Sequence, residues 1–399
     1  MSLATAHLTR HRARLARAGA AALLICLALG CKGPAARDPA GFYRSALAEH
    51  RRGEYQSALE KSRAGAAQFT ARENPAWHWR FRLLEAETLI STGAAAEASR
   101  LLDGALAGAA PDRALEARRL LNLGWVRSLQ TSHEEGLALL EKARVLAEES
   151  GGGEVLAQVE IRRGTVLTYL KRQEEAERSF QLSLSLARGL QDPYLEGSAL
   201  GNLGFLRLNK GSYEEAIYYF EQVLPLARRI RAPALEALTA GNLGWCYFRL
   251  GDLDKAAQRF EHSQSMLAGL GKLLEHQVHL GNLGSVWLIR GDYRKAIGYY
   301  ERALAAARRL NHQRSAGDWL SNLATAHIEL GEIETAARLN REAREVRAAT
   351  GGKLPDAWLE VNEGRILEAR GDADGAAKRY LAVAESLEAG PTARFDAKS

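Results

Sequence analysis

His276 and His279 stand three positions apart, a spacing that puts both imidazoles on one face of a helix. A zinc site takes three or four ligands at close quarters. No third ligand lies near this pair in sequence, so the pair reads as solvated or capping histidines and no metal is expected. The acidic pair Glu148-Glu149 reads as a solvated face; Glu214-Glu215 falls at a helix start, where carboxylates suit the positive end of the helix dipole. Neither Gly151-Gly152-Gly153 nor Gly351-Gly352 is followed by the Lys-Ser/Thr of a phosphate loop, and no nucleophile elbow occurs. The chain is expected to be non-catalytic and to need no cofactor.

The chemistry that does recur is that of amides and rings. Asn122, Asn202, Asn242, Asn282, Asn322 and Asn362 occupy one repeating position, and Trp125, Phe205 and Trp245 follow three positions after theirs. An amide offers both a donor and an acceptor, and an aromatic ring offers rigid apolar area. Gly201, Gly241 and Gly281, one position before their Asn, would leave room for a chain to approach. Such a set suits the reading of an extended peptide. It suits equally an Asn that bonds the neighbouring helix and rings packed between helices, and sequence leaves both open.

These residues are carried by a strict repeat. GNLGFLRLNKGSYEEAIYYFEQVL from Gly201 returns as GNLGWCYFRLGDLDKAAQRFEHSQ from Gly241 and GNLGSVWLIRGDYRKAIGYYERAL from Gly281. Looser copies begin at Ser321 and Val361, and the period is 40 residues throughout. A fixed period of this size marks a solenoid. Each copy reads as a helix pair. In the 201 copy Asp192-Pro193 starts the first helix and Gly211 ends it, while Ser212 with Glu215 forms a capping box for the second. Pro111, Pro193, Pro233 and Pro355 all fall near first-helix starts. A mid-helix Gly costs about 1 kcal/mol against Ala, so Gly204, Gly244, Gly284 and Gly364, facing Ala216, Ala256, Ala296 and Ala376, imply close helix contact. Phe220, Phe260, Tyr300 and Tyr380 are placed to fill the gap between one repeat and the next.

N-L-G, then G-[DS]-[YL], then Ala, then an aromatic resembles the tetratricopeptide repeat, TPR, lengthened from its usual 34 residues. The long form resembles the repeats of Pins-type adaptors and, more loosely, kinesin light chain. The resemblance implies an all-α, right-handed superhelix of about nine antiparallel helix pairs over residues 39–389, with degenerate early copies from Phe42 and Phe81 two residues out of phase. It also implies that the Asn position lines a concave groove, where its amide bonds an extended peptide, with Trp125, Phe205 and Trp245 beside it. The stretch NPAWHWRFRLLEAETLI, with the GNLG copies, resembles the TPR half of bacterial proteins that end in a caspase-like CHAT peptidase. After the ninth repeat only GPTARFDAKS, within a short tail over 390–399, remains. The resemblance therefore supplies no activity, only the alternative of a sensing half for a separate peptidase.

Residues 1–31 carry Arg10, Arg12, Arg14 and Arg17, no acid, and an apolar run from Ala18 to Gly30. This pattern reads as a secretory signal too short to span a bilayer. Ala28-Leu29-Gly30-Cys31 resembles a bacterial lipobox, which implies a lipidated Cys31, a short tether over 32–38, and a cell-envelope protein sorted to the outer membrane. Without that segment 50 basic side chains face 48 acidic ones, a balance that leaves no nucleic-acid footprint. Cys26, Cys31 and Cys246 support no disulfide framework. The expected partner is a protein or peptide in the groove, met at a membrane surface.

Overall fold

The computed structural model describes residues 38–104, 112–130, 132–350 and 356–388. The expected signal segment with Cys31, residues 32–37 of the tether, the tail, and Pro111, Gly351, Gly352 and Pro355 lie outside them. The described residues form eighteen helices and no strand. They pair as α1 (Pro39–Arg52) with α2 (Tyr55–Gln68), α3 (Pro75–Ser91) with α4 (Ala95–Leu102), and α5 (Arg113–Leu129) with α6 (His133–Glu149). Then come α7 (Gly153–Tyr169) with α8 (Gln173–Gly189), α9 (Pro193–Lys210) with α10 (Tyr213–Arg229), and α11 (Pro233–Arg249) with α12 (Leu253–Gly269). The last are α13 (Leu273–Ile289) with α14 (Tyr293–Arg309), α15 (Gln313–Glu329) with α16 (Ile333–Ala349), and α17 (Ala357–Ala369) with α18 (Ala373–Glu388). Each helix packs on the next, and first helices of successive repeats also touch.

The helix boundaries follow local chemistry. Asp192 accepts from the backbone N–H groups of Tyr194 and Leu195, with Pro193 in the first turn. Gly211 closes α9 in the left-handed region at φ 79°. The capping box expected at Ser212 does not form: its side chain makes no cap bond. Asp252 and Asp292, at the same position in the next two repeats, do accept from Lys255 and Lys295.

The recurring mid-helix glycines are seats for rings. A Cβ at Gly164, Gly204, Gly244 or Gly284 would lie 2.5, 2.7, 2.8 or 2.6 Å from the ring of Phe180, Phe220, Phe260 or Tyr300. Each ring thus belongs to its own repeat's second helix. Its outer side reaches the next repeat, as Phe220 does with Leu243 and Cys246, and Phe260 with Leu283 and Val286. The expected gap-filling is met at Phe220, Phe260 and Tyr300, with the glycine as its inner half; Tyr380 sits over Gly364 and bonds Glu368 at 3.0 Å, and no described repeat follows it. Repeat three departs: Gly124 meets the Gly136 backbone, so no ring is needed there.

The first repeat crosses the inner face. Arg51, at the end of α1, pairs with Asp192 at 2.9 Å and Glu154 at 3.6 Å and lies 5.0 Å over the Tyr194 ring. Lys272 lies 5.0 Å from the Tyr55 ring centroid, and a methyl at Gly53 would sit 3.7 Å from Ala234. Repeat one therefore touches repeats four to seven, closing one end of the superhelix.

Candidate functional site

First helices place every fortieth residue in line along the inner face, and that face has two halves. The early half is charged and occupied. Arg162 stands forty residues before Asn202 and carries the ladder position in repeat four; its guanidinium lies 4.5 Å over the Trp125 ring. His50 bonds Thr88 at 3.1 Å and sits 3.7 Å from Glu87, while Arg118 bonds the Tyr43 hydroxyl at 3.1 Å. Burial drives the His50 pKa down, so its ring is held neutral. These groups pair with one another and with repeat one, and Trp125 lies under Arg162, off the wall of the later cavity.

The later half holds a cavity of about 840 Å³, within the range of small-ligand sites. Its wall runs from Tyr169 on α7 through Phe205 and Leu208 on α9, Leu238, Asn242 and Trp245 on α11, and Val278, His279 and Asn282 on α13, to Asp318 on α15. Phe205 is 42% exposed, and Trp245 stacks on Phe248 at 5.4 Å between ring centroids. Asp318 pairs with Arg347 at 2.5 Å, and burial raises its pKa. Lys171 and Arg314 also stand on the wall, and the charge of Arg314 acts with that of Arg347 against the effect of burial on Asp318.

The Asn ladder divides along the same line. Asn122 donates to the Leu83 carbonyl at 3.3 Å, and Asn362, 1% exposed, donates to Ser321 O at 3.1 Å and accepts from Thr325 at 3.0 Å. At these two positions the groove expectation gives way: the amide ties its helix to the preceding repeat's first helix. Asn202 donates to Ser198 O at 2.8 Å within α9. Asn322 makes no hydrogen bond among the described residues and does not line the cavity. Asn242 and Asn282 line it, and neither has a hydrogen-bond partner among the described residues.

The room expected beside Gly241 and Gly281 is already taken. A Cβ at Gly241 would collide with the His279 ring, and one at Gly281 with Trp319, each thirty-eight residues on. Only Gly201 of the three has nothing within 4 Å. His279 is also not a solvated histidine. It is 8% exposed, packs 5.9 Å from Phe260, and has its pKa pushed down to about 4 by burial and then by His276. Among the described residues no three His, Cys, Asp or Glu side chains gather as a metal site would require. Sequence gave no signal for His279 beyond its spacing from His276, because its partner in packing is a glycine on another repeat.

Comparison with known proteins agrees with this geometry. The tetratricopeptide repeat family model matches residues 195–268 and 275–349. No curated protein sequence matches the chain significantly. Among solved structures, the apo quorum sensor NprR from B. thuringiensis is similar at 16% identity and a TM-score of 0.61, over 87% of this chain and 98% of that one. A Rap protein complexed with competence and sporulation factor is similar at 15% identity and a TM-score of 0.59, over 89% of this chain and 99% of that one. A Pyrococcus horikoshii signal-transduction ATPase with a tetratricopeptide repeat sensor is similar at 15% identity and 0.58, over 80% and 53%. At such identities the likeness concerns fold, and none of these names a CHAT peptidase. Residues 195–268 and 275–349 are thus tetratricopeptide repeats, set within an all-α superhelix of the TPR type.

Proposed function

We propose that this chain is a non-catalytic receptor or scaffold that takes an extended peptide, or an extended segment of a protein partner, in the inner cavity of repeats four to eight. The observation that carries the reading is the pairing of Asn242 and Asn282, both without hydrogen-bond partners among the described residues, with the rings of Phe205 and Trp245 on one wall. Main-chain groups of a peptide would satisfy the amides, and its side chains would bury against the rings. Two proteins of similar fold are a Rap protein complexed with competence and sporulation factor and a quorum sensor, which is in keeping with a ligand-taking inner face. We also hold to a lipid anchor at Cys31, which would present the array at the surface of the bacterial envelope. That part rests on the sequence of residues 1–31 alone.

The test is selection of hexapeptides from a random library on the detergent-solubilised chain, followed by calorimetry. Asn242→Ala should weaken the selected peptides by tenfold or more with melting curves unchanged. Trp245→Ala should weaken them as much per folded molecule while lowering the melting temperature, because its ring also packs against the Phe260 cluster. Lys255→Ala, which is exposed and absent from the cavity wall, should not weaken them. Peptides that bind all variants alike, or no selected peptide at all, would refute the groove.

A further inference from the structure

Within the cavity wall, among the described residues, His279 alone holds a fully buried side-chain polar atom without a partner, its Nδ1. Such an atom in a native structure calls for a reason. The neighbouring repeat supplies a comparison. Trp319, forty residues on, sits over Gly281 as His279 sits over Gly241. Its indole N–H donates to Gln277 Oε1 at 2.5 Å, and Gln277 Nε2 donates to Ser315 at 3.1 Å. The residue equivalent to Gln277 beneath His279 is Ala237, fully buried and without a polar side chain. The same seat is satisfied internally in one repeat and left unsatisfied in the one before it.

The orientation of the ring says which atom is available. A neutral imidazole has one N–H and one lone pair. A buried N–H without an acceptor is rarer than an unsatisfied acceptor, so the sealed Nδ1 takes the lone pair and Nε2 the hydrogen. Nε2 has no hydrogen bond among the described residues either, and it is not sealed from solvent. Asn242, next to the glycine that seats the ring, and Asn282, one helical turn along α13, lie on the same wall.

We propose that His279 donates a hydrogen bond from Nε2 to a main-chain carbonyl of an extended peptide that lies across Asn242 and Asn282, whose amides take the adjoining N–H and C=O. This rests on the peptide reading of the groove. It adds that the site reads a neutral main-chain carbonyl at a fixed point through a neutral donor. A ring held uncharged at pH 7 by burial suits that acceptor better than it suits an anion. Leu238 and Val278, one turn before Asn242 and Asn282, give the flanking side chains an apolar bed.

The probe is a hexapeptide selected on the unaltered chain, and the key variant is His279→Phe. Phenylalanine keeps a ring over Gly241 and against Phe260 but has no donor. The expected result is a tenfold or greater loss of affinity without a change in melting temperature. In chain labelled with ¹⁵N-histidine, the protonated Nε2 resonance of His279 should shift when the peptide saturates the site. If His279→Phe keeps affinity within twofold while Asn242→Ala loses it, the groove stands and the role of His279 is overturned. An Nε2 resonance unmoved at saturation overturns it without recourse to any variant. If neither substitution weakens the peptide, the groove reading falls and this inference falls with it.

Discussion

Gly244→Val tests the packing unit on which every repeat depends. A Cβ at Gly244 lies 2.8 Å from Cδ1 and 2.9 Å from Cε1 of Phe260. Ordinary carbon contacts need roughly 3.5–4.0 Å, so the ring must retreat by about 1 Å. Behind it stand Leu283 and Val286, both fully buried, which give it nowhere to go. Overpacking of this kind costs about 1–3 kcal/mol, while the helix preference of Val over Gly returns only a few tenths. Gly201→Ala is the matched control. It is also mid-helix, but nothing among the described residues lies within 4 Å of its Cβ position, so it should be neutral or stabilise by up to about 1 kcal/mol. Urea unfolding gives the magnitudes, and hydrogen exchange gives the place. In a solenoid each repeat leans on its neighbours, so protection should fall first over residues 235–290 and hold at the distant ends. A Gly244→Val chain as stable as the parent, or one that loses protection evenly over all nine helix pairs, would refute the ring-seat account.

Other predictions follow from the charges and from the amino terminus. Arg51→Glu sets like charges against Asp192 and Glu154; it should free residues 39–68 to exchange while leaving α11 to α16 protected, and unchanged exchange there would show the cross-face contact to be idle. His279 has its pKa lowered to about 4, so between that value and the usual 6.5 the unfolded chain binds more protons than the folded one. Its contribution is therefore complete above pH 6.5 and is lost as the pH falls toward 4, on the order of 3 kcal/mol in all; His279→Phe should flatten that part of the stability profile. Cys31→Ala should abolish incorporation of labelled palmitate in a Gram-negative host, and a parent chain that takes up none would end the lipid-anchor proposal.

Sequence carried the fold almost entirely, since a period of 40 residues with glycine and proline at fixed phase leaves little choice of architecture. It also marked Asn242, Asn282, Phe205 and Trp245, which the fold brings to one cavity. What it could not separate were ladder positions of one residue type in different surroundings. Asn122 shares the following Leu-Gly-Trp with Asn242, and Asn362 shares the Gly two positions on, yet each meets a carbonyl of the preceding repeat's first helix. The glycines misled for a related reason. Their absent side chains were legible, but the rings that fill the space, His279 and Trp319, lie on the following repeat. Ser212 has the type and spacing of a cap, yet its side chain makes no cap hydrogen bond in the folded chain.

The division of the inner face follows from where the repeat loses its regularity. Repeats five to seven keep amides and apolar residues on that face, and these make few demands on one another, so a cavity survives there. Repeats one to four replace them with charge: Arg51, Glu87, Arg118, Glu154 and Arg162. Buried charges must be paired, and pairing draws surfaces together. Arg51 reaches Asp192 and Glu154 across the superhelix, and Arg118 also reaches Glu154, at 3.4 Å. The degenerate repeats thus do at their end of the channel what a terminal cap does for a solenoid, while spending the inner face rather than the outer one. A ligand is left with the later half, bounded on one side by Tyr169 and on the other by the first two turns of α15. A substitution that removed the charges at residues 51 and 192 together would open the groove toward repeat four, and a library of mixed peptide lengths should yield longer binders on that double variant than on the parent chain.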